Sequence, residues 1–140
     1  MEKAIELIKE FEGLRLRAYK CVAGVWTIGW GHTGGVKAGT SISAGQAEEL
    51  LRADVESVFR RLGLSRFGVN RRAALASFAF NVGVGAMLRS RLWRKVCANQ
   101  ADESIADEFR RWKYAGGKVQ QGLIHRREKE LSLYFQEDEQ

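Results

Sequence analysis

The 140-residue chain has no proline, only two cysteines and two histidines, and no apolar run near the ~20 residues that cross a bilayer. Without proline there is no stiff proline-rich linker, and no internal repeat or low-complexity tract divides the chain either. Cys21 and Cys97 are too few for a disulfide framework; they read as free thiols of a protein folded in a reducing compartment. Cys97, inside an apolar helical run, reads as a small buried hydrophobe. Two scattered histidines exclude a ligand-spaced metal site, and neither a P-loop nor a dinucleotide glycine pattern occurs, so no metal and no cofactor is expected. Near the N-terminus Glu2, Glu6, Lys9 and Glu10 interrupt every apolar stretch, which argues against a signal peptide or signal anchor.

What is present begins with charge. A net charge of +6 and a pI near 9.6 point to a polyanionic partner or surface. Arginines cluster at Arg60, Arg61, Arg66, Arg71 and Arg72, at Arg89, Arg91 and Arg94, and at Arg126 and Arg127. Without a nucleic-acid fold signature such clusters read as solvated helix faces, and nucleic acid is not the expected partner. Hydrophobic content of 45% and charged content of 29% are ordinary for a globular domain, and the length suits one domain.

The pattern along the chain is a short strand region followed by helices. Ile5, Leu7, Ile8 and Phe11 repeat at helical spacing, predicting a helix over roughly 2–11 that Gly13 stops. Residues 14–36 carry Leu14, Leu16 and Ala18, then Val22, Val25, Trp26 and Ile28, a strand pattern around a tight turn at Ala23–Gly24. Ser43 with Gln46 is a capping-box start for a long helix over 43–62. A helical body follows over roughly 70–135. Asn70 is expected to cap one helix there, with a turn at Asn81, Gly83 and Gly85. Further helices are predicted over Met87–Val96 and Asp102–Trp112, with a break at Gly116–Gly117 and a last helix over Lys118–Phe135. The acidic tail Glu137, Asp138 and Glu139 is expected to fray. The fold class is α+β.

The chemistry lies in Glu12 to His32. Glu12 would sit at the carboxyl end of the first helix, where the helix dipole disfavours negative charge, and burial would favour the protonated form further. A carboxyl kept protonated is what a general acid needs. Eight residues separate Glu12 from Cys21 and five separate Cys21 from Thr27, which opens the run Thr27-Ile28-Gly29-Trp30-Gly31-His32. This pattern resembles the phage-type lysozymes, or endolysins, of glycoside hydrolase family 24, the group that includes the T-even phage lysozyme. Their motif is a glutamate, eight residues, an aspartate or cysteine, five residues, a threonine and a TIGxGH run. Ala76–Gly85 (ASFAFNVGVG) and Phe109–Glu130, with Trp112, AGGK and GLIHRREKE, are similar to the family in the same order.

The resemblance implies one lysozyme domain over 1–140, a small N-terminal sheet lobe and a larger helical lobe joined by the long helix, with an active-site cleft between them. It implies hydrolysis of the β-1,4 bond between N-acetylmuramic acid and N-acetylglucosamine in bacterial peptidoglycan, by a monomer held in the host cytoplasm until a holin releases it. The anionic wall then accounts for the basic charge. By the same resemblance Glu12 is the acid, and Cys21 and Thr27 hold the attacking water. Trp30, Gly31 and Thr33 contact substrate, and His32 pairs with Asp54 as a structural link. Cys21 departs from the commoner aspartate: as a thiolate it could deprotonate water or attack the sugar, while as a thiol it is a weak base. Inversion at the anomeric carbon is the family default extended here. Two rivals stand beside this reading, a catalytically silent wall-binding protein and a lytic transglycosylase.

Overall fold

Ala4, Ile5, Leu7 and Ile8 form one buried face of the first helix, α1 (Glu2–Phe11), as the apolar spacing predicts. The structure is a computed structural model, and it describes residues 1–139. The chain divides into two compact units, Met1–Ser57 and the residues from Val58 onward.

In the first unit α1 is followed by an antiparallel hairpin, β1 (Arg15–Lys20) and β2 (Trp26–Gly29). Lys20 pairs with Trp26, Tyr19 with Thr27 and Arg15 with Gly29, with an irregularity between Arg15 and Tyr19. At that irregularity β1 turns its other edge to a short extended stretch. The Ala18 amide donates to the Thr40 carbonyl at 2.9 Å, and the Ile42 amide to the Leu16 carbonyl at 2.8 Å. The expected capping box opens α2 (Ala44–Leu62): the Ser43 amide donates to Gln46 Oε1 at 2.8 Å, and the Gln46 amide to Ser43 Oγ at 3.1 Å. Ala47, Leu51 and Val55, one turn apart, are fully buried. A Cβ on Gly29 would lie 3.4 Å from the Cβ of Ala47, so the end of β2 sits directly against α2.

The second unit takes in the end of α2, a 3-10 turn at Leu64–Arg66 and then α3 (Val69–Val82), α4 (Val84–Arg89), α5 (Arg91–Ala98) and α6 (Ile105–Arg110). A two-residue hairpin, β3 (Tyr114–Ala115) with β4 (Lys118–Val119), precedes α7 (Gln121–Phe135). Helix α3 is buried nearly all round, from Ala73 to Ala79. Phe78 meets Phe109 and Trp112 edge-on, at ring separations of 5.6 and 5.4 Å.

Several expectations for this unit are corrected. Asn81 lies inside α3 rather than in a turn. The stretch read as one helix over Met87–Val96 is broken at Ser90, whose hydroxyl caps α5 by accepting from the Trp93 amide at 3.0 Å. The helix expected from Asp102 begins only at Ile105, because Asp102 forms a side-chain turn onto the Ser104 amide and hydroxyl. Gly116–Gly117 is the turn of a hairpin, so α7 starts at Gln121 rather than Lys118. Cys97 is exposed, not buried, with its sulfur 3.7 Å from an Arg66 guanidinium nitrogen.

The tail and Asn70 exchange their expected roles. Asn70 does not cap α3 with its own side chain, which instead donates to the carbonyls of Gln136 and Glu137, both at 3.1 Å. The cap comes from the far end of the chain. Asp138 accepts from the amides of Val69 at 3.0 Å and Asn70 at 2.8 Å, satisfying two donors that a helix start leaves open. A Cβ on Gly68 would fall 2.3 Å from Asp138 Oδ2, so only glycine lets the carboxylate in. Asp138→Ala should lower stability by about 1 kcal/mol, the typical worth of a helix cap. Gly68→Ala should lose much of the same cap by displacing the carboxylate. The double variant in urea unfolding is therefore expected to be less destabilised than the sum of the two singles. Additive losses would mean that alanine at position 68 leaves the Asp138 cap in place.

Arg126 and Arg127 are not solvated: they are 4% and 1% exposed, around a fully buried Glu130. Glu130 takes Arg127 Nε at 2.8 Å, Arg126 Nε at 3.2 Å and the Ser77 hydroxyl at 2.6 Å. Burial pushes the Glu130 carboxyl up and the Arg127 guanidinium down, and each opposes the shift of the other.

Candidate active site

Every residue singled out for chemistry belongs to the first unit. Helix α1 ends because Glu12 leaves the helical conformation (φ −95°, ψ 129°) while its amide still donates to the Ile8 carbonyl at 2.9 Å. Glu12 is therefore the hinge between α1 and the hairpin, and it is half-buried rather than enclosed. One turn earlier, the Lys9 ammonium lies 5.2 Å from the centre of the Trp30 ring, so the end of α1 is beside the Gly29–Gly31 loop.

That loop reverses the chain in three residues. Ile28 and His32 exchange both backbone hydrogen bonds at 2.9 Å, and the turn requires positive φ at Gly29 (66°) and Gly31 (91°). Trp30 is half-buried at its tip and Thr33 is exposed just beyond. His32 is held on both sides, Nδ1 against Asp54 Oδ2 at 2.8 Å and Nε2 against the Gly34 carbonyl at 2.9 Å. Neither ring nitrogen is left for substrate. The expected His32–Asp54 pair is formed, and it fastens the loop to α2.

At the other end of the hairpin, Cys21 and Thr27 come together. The Cys21 amide donates to the Val25 carbonyl at 2.9 Å, and Gly24 returns a bond to the Cys21 carbonyl at 2.8 Å, forming the turn expected at Ala23–Gly24. This curls backbone amides around the sulfur. Hydrogen bonding from Val25, then from Ala23, the Thr27 hydroxyl and Cys21's own amide, holds the thiol below its ordinary range and outweighs the opposing desolvation. Thr27 is 3% exposed, and its hydroxyl also donates to the Val25 carbonyl at 2.9 Å. The arrangement makes the Cys21 thiol easier to ionise and sets it on the same hairpin as the Thr27 hydroxyl.

The second unit holds an arrangement that sequence reading missed. The buried Arg127 donates to Asn81 Oδ1 at 2.8 Å and reaches the Trp112 carbonyl at 3.5 Å. Asn81, Trp112 and Arg126 thus join one polar network. The signal was available: Arg126 and Arg127 stand four and three residues before Glu130, so all three share a helix face. Among the described residues no group of three histidine, cysteine or acidic side chains could hold a metal. No helix among them is long and apolar enough to cross a membrane.

Comparison with known proteins identifies the family. The family model described as phage lysozyme matches residues 9–130. The chain is 44% identical over 141 aligned positions to an endolysin of Bacillus phage PZA, covering 95% of this chain but 54% of the relative, so it spans about half of that protein. It is 41% identical to an endolysin of Acyrthosiphon pisum secondary endosymbiont phage 1, with 95% of each chain covered. Among solved structures, the muramidase domain of SpmX from Asticaccaulis excentricus superposes with a TM-score of 0.83 at 33% identity, covering 98% of this chain and 97% of the other. The α+β architecture is accordingly lysozyme-like, and the chain belongs to the phage lysozyme family.

Proposed function

We propose that this protein is an endolysin, a lysozyme that hydrolyses the β-1,4 bond between N-acetylmuramic acid and N-acetylglucosamine in bacterial peptidoglycan and so lyses the host cell. The observation that carries the reading is the hairpin of the first unit, entered through Glu12 and closed by Cys21 and Thr27 around a sulfur surrounded by donors. In this reading the motif is the Glu-x8-Cys-x5-Thr form found in glycoside hydrolase family 24. Residues 1–140 are one lysozyme domain, with the strand region at roughly 14–36, the linking helix at 43–62 and the helical part at 70–135. The protein acts as a monomer, takes no nucleic acid as partner, and waits in the host cytoplasm for a holin to admit it to the wall.

Glycoside hydrolysis needs a proton for the leaving oxygen and a second group to manage the nucleophile. Glu12 supplies the proton from a half-buried position at the end of α1. Cys21, as thiolate, draws a proton from water, and Thr27 turns its hydroxyl toward that water. The water then attacks the far face of the sugar, which inverts the anomeric carbon. Trp30, Gly31 and Thr33 border the sugar, and the His32–Asp54 pair keeps their loop in place. The lowered thiol speaks against the silent binding protein, because a pure binder has no use for a sulfur made easier to ionise.

Clearing of purified peptidoglycan, with product masses measured afterward, tests the reading. Wild type should clear the wall and leave hydrated reducing ends; ends lighter by one water would show transglycosylase chemistry instead. Cys21→Ser should lose about 10²-fold in rate, the lower end of what a positioned base contributes. The pH profile carries the sign: activity should rise with pH as the thiol ionises, with a midpoint below that of an unperturbed cysteine. Cys21→Asp should restore clearing and move that limb toward the carboxylate range. The same ionisation stabilises the fold at high pH, a contribution lost as pH falls through the lowered thiol value. An unchanged rate in Cys21→Ser would remove the sulfur from the mechanism.

A further inference from the structure

Two surface grooves of the second unit meet at Arg111 and Tyr114. One, about 460 Å³, is lined by Asp107, Arg110, Arg111, Lys113 and Tyr114. The other, about 550 Å³, runs past Arg89, Arg91, Glu108, Arg111 and Trp112 as well as Tyr114. The acids here are already engaged. Glu108, 4% exposed, takes Lys95 at 2.7 Å and Arg111 at 3.2 Å, and the Lys95 hydrogen bond holds its carboxyl below the usual range. Asp107 faces Arg110, which also binds Glu128 at 2.7 Å. Among the described residues no carboxylate pairs with Arg89, Arg91 or Lys113, so both grooves carry surplus positive charge. Between the cations stands Tyr114, 59% exposed, with the Lys113 ammonium 5.8 Å from its ring centre.

We propose that these joined grooves bind a repeating phosphodiester polymer of the cell wall, a polyol phosphate chain. The choice of a wall polymer rests on the lysozyme reading above; the anionic repeat rests on the groove itself. Cations follow one another through two grooves rather than converging on one point, which suits an anion that recurs along a chain. Arginine forks match phosphate oxygens in pairs, and the face of Tyr114 covers the uncharged carbons between phosphates. A single-stranded nucleic acid needs several aromatic platforms for successive bases. Trp112 cannot be a second one, because it is half-buried edge-on against Phe78. The groove of the second unit therefore retains the enzyme on a phosphate-bearing wall, while the residues read as hydrolytic belong to the first unit.

The test is co-sedimentation with walls before and after hydrofluoric acid strips their phosphodiester polymers. Arg89→Gln/Arg91→Gln/Lys113→Gln is compared with a control of equal charge loss, Lys37→Gln/Arg61→Gln/Arg94→Gln. The groove variant should bind untreated walls at least tenfold more weakly, and the control less than twofold. Both should bind stripped walls equally and clear them at the wild-type rate, and soluble poly(glycerol phosphate) should release wild type from untreated walls. Equal losses in the two variants would overturn the proposal in favour of diffuse net charge. Release by single-stranded DNA at lower concentration than by poly(glycerol phosphate) would overturn it in favour of a nucleic-acid groove. Failure of every form to clear stripped walls, with the binding difference intact, would sink the lysozyme reading and leave the groove standing.

Discussion

Glu12→Gln is expected to slow peptidoglycan clearing by about 10²–10⁴-fold, the range contributed by a positioned proton donor. The substitution keeps the side chain's shape and polarity and removes the ionisable proton. The backbone bond that ends α1 comes from the Glu12 amide, which the variant retains. Thermal midpoint and sedimentation with walls should therefore stay at wild-type values while turnover falls. This separation matters, because a residue at the end of a helix could lose activity simply by unfolding its surroundings. Clearing within tenfold of wild type would strip Glu12 of the acid role, and Glu10, two residues earlier on α1, would be the next residue to test.

The largest stability effect should come from Glu130, far in sequence from any proposed chemistry. Glu130→Ala leaves two buried guanidinium groups without their counter-charge, and breaking a buried pair in this way costs about 3–5 kcal/mol. Set against the ~5–15 kcal/mol that holds a domain together, that is a large share. The Ser77 hydroxyl, now 2.6 Å from Glu130, would also lose its acceptor. The exposed pair between Arg110 and Glu128 is the natural control, since both side chains are about half open to water and such pairs are worth ~0–1 kcal/mol. Denaturant unfolding should show a midpoint far lower for Glu130→Ala and hardly moved for Arg110→Gln. Similar midpoints for the two would mean that water reaches the network and screens it.

These contrasts show which parts of the structure were written locally. The capping box at Ser43 and Gln46, the stop after Phe11 and the turn at Ala23–Gly24 each depend on neighbours within a few residues, and each was legible. The Cys21–Thr27 approach was legible only through motif spacing, because six residues of separation do not state that a turn will fold them together. What the sequence did not disclose depends on distant partners. Asn70 looks like a cap, yet the acceptor for its own amide arrives from Asp138. Arg126 and Arg127 look like surface charge until Ser77, from another helix, completes a buried site for Glu130. The small hairpin at Gly116–Gly117 is two residues per strand, too short for alternation to register.

The clasp between Asp138 and the start of α3 also sets a timetable. Its partners stand 69 residues apart, and α3 is the most enclosed helix of its unit. A chain emerging from the ribosome can form α1, the hairpin and the start of α2 from residues already made, since their mutual contacts lie within Met1–Ser57. Helix α3 must wait with two amide donors open until residue 138 has been synthesised. The first unit, which carries the motif, can thus be native while the second is still provisional. Nascent chains arrested before and after residue 138 should differ in protease resistance from Val69 onward and agree up to Ser57.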